Sequence, residues 1–165
     1  MNTLYLLRHA DAEPGRSYDD DRDRPLTEEG YHDAGRLGQL LAATDQLPDG
    51  IVTSPAVRAR QTAEALSERG QWQVEVPLRS SHALYQAQPA DVLEEIQALS
   101  DERRAVLLVG HEPAWSTAVS QLLGSANVSL PPGTCVRIDT EAPSWREVRF
   151  GEGRLRWMLP PTLLR

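Results

Sequence analysis

Short apolar runs alternate with stretches of helical period along most of the chain, an alternation that predicts parallel strands joined by covering helices. Four runs read as such strands, at residues 3–8, 50–53, 73–76 and 105–109. The last is apolar throughout, which predicts a central place in the sheet. Between them lie helix starts. Thr27 can cap a helix in which Glu28 and Glu29 suit the positive end of the dipole and Tyr31, Ala34, Leu37 and Leu41 keep helical spacing. Pro55, Pro89 and Pro113 each suit the first position of a further helix. After Gly124 the pattern changes: residues 136–139, 147–150 and 154–158 read as three strands with no helix between them, an antiparallel meander at one side. The expected fold is α/β, with a mostly parallel central sheet and antiparallel C-terminal strands. The dense charges of residues 18–24 predict an exposed loop.

The chain's 165 residues fall within the size of one domain, and residues 1–165 are expected to form a single unit with a core of its own. A composition 40% hydrophobic and 25% charged, with no long apolar stretch and no signal-peptide layout, predicts a cytoplasmic protein with no membrane partner. Cys135 stands alone, so neither an internal disulfide nor a cysteine zinc site is expected. A net charge of −7 argues against nucleic acid as a partner, because a phosphate backbone demands a basic face. Any cationic site must therefore be local, where arginines held at short range outweigh distant, screened charge.

Three segments rich in polar chemistry begin where a predicted parallel strand ends, the edge at which open α/β sheets bind ligands. The first is Arg8-His9-Ala10. The second runs from Ser54 to Thr62; Ser54 would be the helix cap, Pro55 its first residue, and Arg58 would lean back over the strand end while Arg60 faces elsewhere. The third is Gly110-His111-Glu112-Pro113, in which Gly110 allows a tight turn and Pro113 opens a helix whose free N–H groups favour an anion.

Four motifs in this order, Leu6-Leu7-Arg8-His9-Ala10, Arg24-Pro25-Leu26-Thr27-Glu28, the stretch from Ser54 to Thr62, and Val109-Gly110-His111-Glu112-Pro113, resemble the histidine phosphatase superfamily, and within it the compact SixA branch of phosphohistidine phosphatases. The resemblance implies a three-layer α/β/α sandwich of phosphoglycerate mutase type. It implies that His9 is a nucleophile that becomes transiently phosphorylated, that Arg8, Arg58 and His111 complete the phosphate pocket, and that no metal or other cofactor is used. The residue chemistry is compatible with those roles. A neutral imidazole offers a lone pair for attack on phosphorus, and the planar fork of arginine matches phosphate oxygens.

The leaving group bears on the substrate. An alkoxide benefits from a positioned acid, whereas the imidazole of phosphohistidine needs less help. Family members acting on phosphomonoesters usually carry that acid before the third long helix or beside the second histidine. Here the first segment reads Ser81-His82-Ala83-Leu84-Tyr85-Gln86, without a carboxylate, which favours phosphohistidine on a protein such as a histidine phosphotransfer domain. Glu112 beside His111 is either a helix cap or a general acid, which keeps a small phosphorylated metabolite open as the substrate. A non-catalytic phosphate-binding module is the remaining alternative, although binding alone would not need His9.

Other readings fail on spacing. Asp19, Asp21 and Asp23 mimic the start of a calcium loop, but Arg24 and Gly30 stand where a glycine and an acid are required. Gly151-Glu152-Gly153 lacks the third glycine of a dinucleotide fingerprint. His32 and His82 lack partners for a zinc pair, and the four tryptophans are expected in the core or at its rim, with Trp115 close enough to His111 in sequence to flank the pocket.

Overall fold

The structure, a computed structural model, describes residues 1–165. Six strands form one sheet: β1 (Asn2–Arg8), β2 (Gly50–Thr53), β3 (Leu78–Ser80), β4 (Ala105–Gly110), β5 (Cys135–Thr140) and β6 (Arg154–Leu159). Their order across the sheet is β3-β2-β4-β1-β5-β6. The first four in that order are parallel; β5 and β6 run antiparallel to their neighbours. The fully apolar strand is central, as expected, with β2 on one side and β1 on the other.

Alternation along the strands divides the core into two layers. Leu4, Leu6, Val106 and Leu108 face one side, packing with Val92 and Ile96 of α3 (Pro89–Gln97) and with Trp115, Ala118 and Val119 of α4 (Ala114–Leu122). Tyr5, Leu7, Leu107 and Val109 face the other, against Leu37 and Leu41 of α1 (Glu28–Ala43) and Ala59, Ala63 and Leu66 of α2 (Val57–Glu68). Period-two alternation in strands and 3.6-residue period in helices thus produce the expected three-layer sandwich. Each fully buried leucine of these clusters stabilises the fold by about 1.5–3 kcal/mol relative to exposure. No helix is long and apolar enough to cross a membrane.

Local chemistry sets the helix starts. The Thr27 hydroxyl accepts from the Gly30 N–H at 3.1 Å, and Pro89 opens α3, both as the sequence predicts. Two starts move. Helix α2 begins at Val57 rather than Pro55, with Ala56 and not Ser54 at the cap, because Ser54 and Pro55 are still leaving the sheet. Helix α4 begins at Ala114, one residue after Pro113.

Two predicted strands are corrected. Residues 73–76 form no strand; pairing begins at Leu78, after Pro77, whose carbonyl accepts from the Ile51 N–H. The alternation of Val74 and Val76 misled because Val74 is 56% exposed and packs against no partner strand. Residues 147–150 form no strand either. A 3-10 turn at Trp145–Glu147 occupies this region, because the buried Trp145 ring donates from Nε1 to the Arg103 carbonyl and draws the chain across the sheet's end. The meander is therefore one antiparallel pair, β5 and β6.

Candidate active site

Register brings the histidines together. β1 and β4 align Arg8 with Gly110, so His9 and His111 leave the sheet side by side, and the His9 N–H donates to the Gly110 carbonyl at 3.0 Å. β2 aligns Thr53 with Val109 on the far side of β4, and the Ser54 N–H donates to the Val109 carbonyl at 3.0 Å. Gly110 is required where it stands: an added Cβ would lie inside the Trp115 ring, which fills the core directly beneath this turn. Trp115 is thus core, fully buried, and does not line the pocket.

Arg58, the second residue of α2, projects back over the strand ends. Its Nε–H donates to His9 Nε2 at 3.4 Å. The ring centroids of His9 and His111 lie 5.2 Å apart. These three side chains belong to residues only 8%, 9% and 5% exposed for His9, His111 and Arg58, a burial that makes each polar atom's partner matter. Arg8, the fourth predicted site residue, donates from Nη1 to the Leu130 carbonyl at 2.7 Å, while its Nε is buried without a partner. Sequence therefore placed four residues in one location, and the fold assembles them there. Arg60 is excluded; it faces outward and pairs with Glu64 at 3.7 Å.

A hydrogen bond fixes where the His9 proton lies. His9 Nδ1 is 2.7 Å from the Ala10 carbonyl, which can only accept, so Nδ1 carries the hydrogen and Nε2 presents its lone pair. Burial is the main force holding the His9 imidazolium down, to a pKa of about 4; the Ala10 carbonyl opposes this, and Arg58 and Arg8 add to it. His111 is lowered to about 3, first by burial and then by its neighbours His9 and Arg58. Both rings are neutral at pH 7. His111 Nε2 lies 2.7 Å from Ser54 Oγ, which also accepts from the Ala56 N–H at 3.2 Å. Either group can donate in this pair, and His111 Nδ1 is buried with no partner. Arg8 Nε and His111 Nδ1 are thus two buried polar atoms without partners in this region, and the first is necessarily a donor. Each costs about 1–3 kcal/mol unsatisfied, and an oxyanion would satisfy Arg8 Nε–H, and His111 as well when its hydrogen is on Nδ1.

Three participants escaped the sequence reading. Ser54 orients His111. Asp21, in the charged loop, accepts from Arg58 through both its carbonyl, at 2.7 Å, and its Oδ2, at 2.9 Å, and it also accepts from Arg24 and Tyr85. Burial would raise the Asp21 carboxyl, but the hydrogen bonds from Arg24, Arg58 and Tyr85 outweigh it and hold the pKa at about 2. Tyr85 then turns its ring edge toward His111, with centroids 5.7 Å apart. Adjacency to a strand end could have flagged Ser54; no spacing rule joins Asp21 to a site 37 residues away. Glu112, the candidate acid, accepts from the Ser116 N–H at 3.1 Å and so caps the first turn of α4. No group of three or more His, Cys, Asp or Glu side chains is arranged to hold a metal ion.

The chain is similar to known proteins. The profile of the histidine phosphatase superfamily (branch 1) matches residues 4–81. An uncharacterized protein of Mycobacterium leprae is 34% identical over 141 residues, covering 84% of this chain and 82% of its own. A structure from Agrobacterium tumefaciens, provisionally assigned as the phosphohistidine phosphatase SixA, superposes with a TM-score of 0.81 at 27% identity, covering 97% of this chain and 98% of its own. A protein histidine phosphatase SixA complexed with tungstate has the same fold, with a TM-score of 0.83 at 22% identity over 99% of each chain. The three-layer sandwich is of phosphoglycerate mutase type, and the chain belongs to the histidine phosphatase superfamily.

Proposed function

We propose that the protein is a phosphohistidine phosphatase that removes phosphate from a protein phosphohistidine through a phospho-His9 intermediate. The observation that carries this reading is the neutral His9 with its Nε2 lone pair directed at Arg58, beside the unpartnered Arg8 Nε–H and His111 Nδ1. In the first step His9 Nε2 attacks phosphorus and the bond from phosphorus to the substrate imidazole breaks. That imidazole, carrying a hydrogen on its far nitrogen, departs neutral. In the second step water attacks phosphorus, and the electron pair of the breaking P–N bond returns to His9 Nε2, while Nδ1–H keeps donating to the Ala10 carbonyl. The water's proton passes to solvent or phosphate. Arg8, Arg58 and His111 stabilise the charge on the transferring oxygens. Neither departure needs a general acid and no step needs a metal.

The alternative, a small-molecule phosphomonoesterase, would need an acid for an alkoxide leaving group. Asp21, held at about 2, is a carboxylate at neutral pH, and Glu112 is engaged as a cap. These engagements favour the phosphohistidine reading, with a phosphorylated protein domain in the cytoplasm as partner. Phosphate release from a phosphohistidine peptide, measured with chelator present for the wild type and for His9→Ala, tests it. We expect turnover in the first and loss in the second. Rapid hydrolysis of sugar phosphates with none of phosphohistidine would select the alternative, and equal rates in both proteins would leave a binding role.

A further inference from the structure

His111 is shared between the pocket of His9 and a cavity of about 550 Å³, lined also by Glu112, Thr117, Gln86 and Gln88. All seventeen basic residues of the chain are arginines, and none lines this cavity. Its charged side chain is Glu112. Ser116 N–H holds Glu112 Oε1 at 3.1 Å, while Oε2 makes no hydrogen bond within the chain. Gln86, Gln88 and Thr117 add neutral polar groups. A phosphoryl group held between His9 and His111 would border this cavity on the His111 side.

We propose that the cavity receives the leaving group and that Glu112 makes it charge-selective, accepting a neutral or cationic leaving group and rejecting one that bears a second anion. The inference rests on the phosphatase reading above and narrows its substrate. A carboxylate or second phosphate placed here would lose water beside Glu112, whose cationic neighbour Arg8 is already engaged by the Leu130 carbonyl and the phosphoryl oxygens. An imidazole would not, because its one N–H can donate to Glu112 Oε2 or to a glutamine carbonyl. Selection of this kind acts through repulsion as much as attraction.

The test uses three phosphomonoesters that differ mainly in charge beyond the phosphate: phosphoethanolamine, glycerol 3-phosphate and 3-phosphoglycerate. Their affinities are read by titration calorimetry on the intact protein. Wild type is expected to bind them in that order of decreasing affinity. Glu112→Gln retains an oxygen for the Ser116 N–H and should narrow the ratio between the first and last by roughly tenfold. Thr117→Arg, on the exposed face of α4, should narrow it further by favouring 3-phosphoglycerate. Equal affinities in the wild type, or a ratio unmoved by both variants, would overturn the proposal. Hydrolysis of phosphoimidazole by the wild type is measured in parallel. Its absence would overturn the phosphohistidine reading, while the affinity ratios still decide the selectivity of the cavity.

Discussion

Acidification should destabilise this fold through two buried rings. His9 and His111 have folded-state pKa values of about 4 and about 3, against about 6.5 in the unfolded chain. Between those limits the unfolded chain binds protons that the folded protein refuses, so stability rises with pH across the window and is lost as pH falls. Because both folded values lie below 5, the loss between pH 7 and pH 5 is set by the unfolded imidazole. It amounts to about 2 kcal/mol per ring, or about 4 kcal/mol for the pair. That is a large share of the roughly 5–15 kcal/mol by which a domain is stable. Urea denaturation followed by tryptophan fluorescence at the two pH values measures it, with the buried Trp115 and Trp145 as reporters. His9→Asn and His111→Asn should each remove about 2 kcal/mol of the pH-dependent loss. If either variant lost as much stability as the wild type on acidification, that ring would not be buried neutral in the folded protein.

Arg58→Ala should lower kcat/KM for phosphoimidazole by about 10²- to 10³-fold, whereas Arg60→Ala, which loses only an exposed pair with Glu64, should change it less than about twofold. Asp21→Asn removes a carboxylate that competes for the Arg58 fork, so inorganic phosphate should inhibit roughly tenfold more strongly at low salt, an effect that fades as salt is added. Gly110→Ala should cost about 3 kcal/mol in urea denaturation, because its methyl group overlaps a tryptophan ring that is fully buried and cannot move aside.

Strands β1, β2 and β4 were legible because they are buried on both faces, and their covering helices because they keep a clear apolar stripe. The same logic located the site: Arg8, His9, Arg58 and His111 each follow or flank a strand's C-terminal end, and sheet register does the rest. Legibility failed where tertiary contacts override local pattern. The alternation at residues 73–76 has no strand to pair with until Pro77 has passed, and residues 147–150 are bent by the burial of Trp145. Asp21 was hidden for a related reason. Its loop is pinned by the Ala12–Leu26 bridge and by Arg24 donating to the Glu13 carbonyl, contacts that swing a carboxylate onto Arg58 without leaving any periodic trace. Ser54 looked like a helix cap by type and position, and instead its hydroxyl serves the ring of His111.

The most direct measurement is rapid quench of the enzyme with phosphoimidazole into alkali, which preserves phosphorylated histidine, followed by peptide mass spectrometry. We expect a phosphoryl group on the peptide containing His9 within the first turnover, absent in His9→Ala and decaying at a rate consistent with steady-state turnover. Full phosphate release with no phosphorylated His9 peptide at any time, or a phosphoryl group found on His111 instead, would contradict the assignment of His9 as nucleophile.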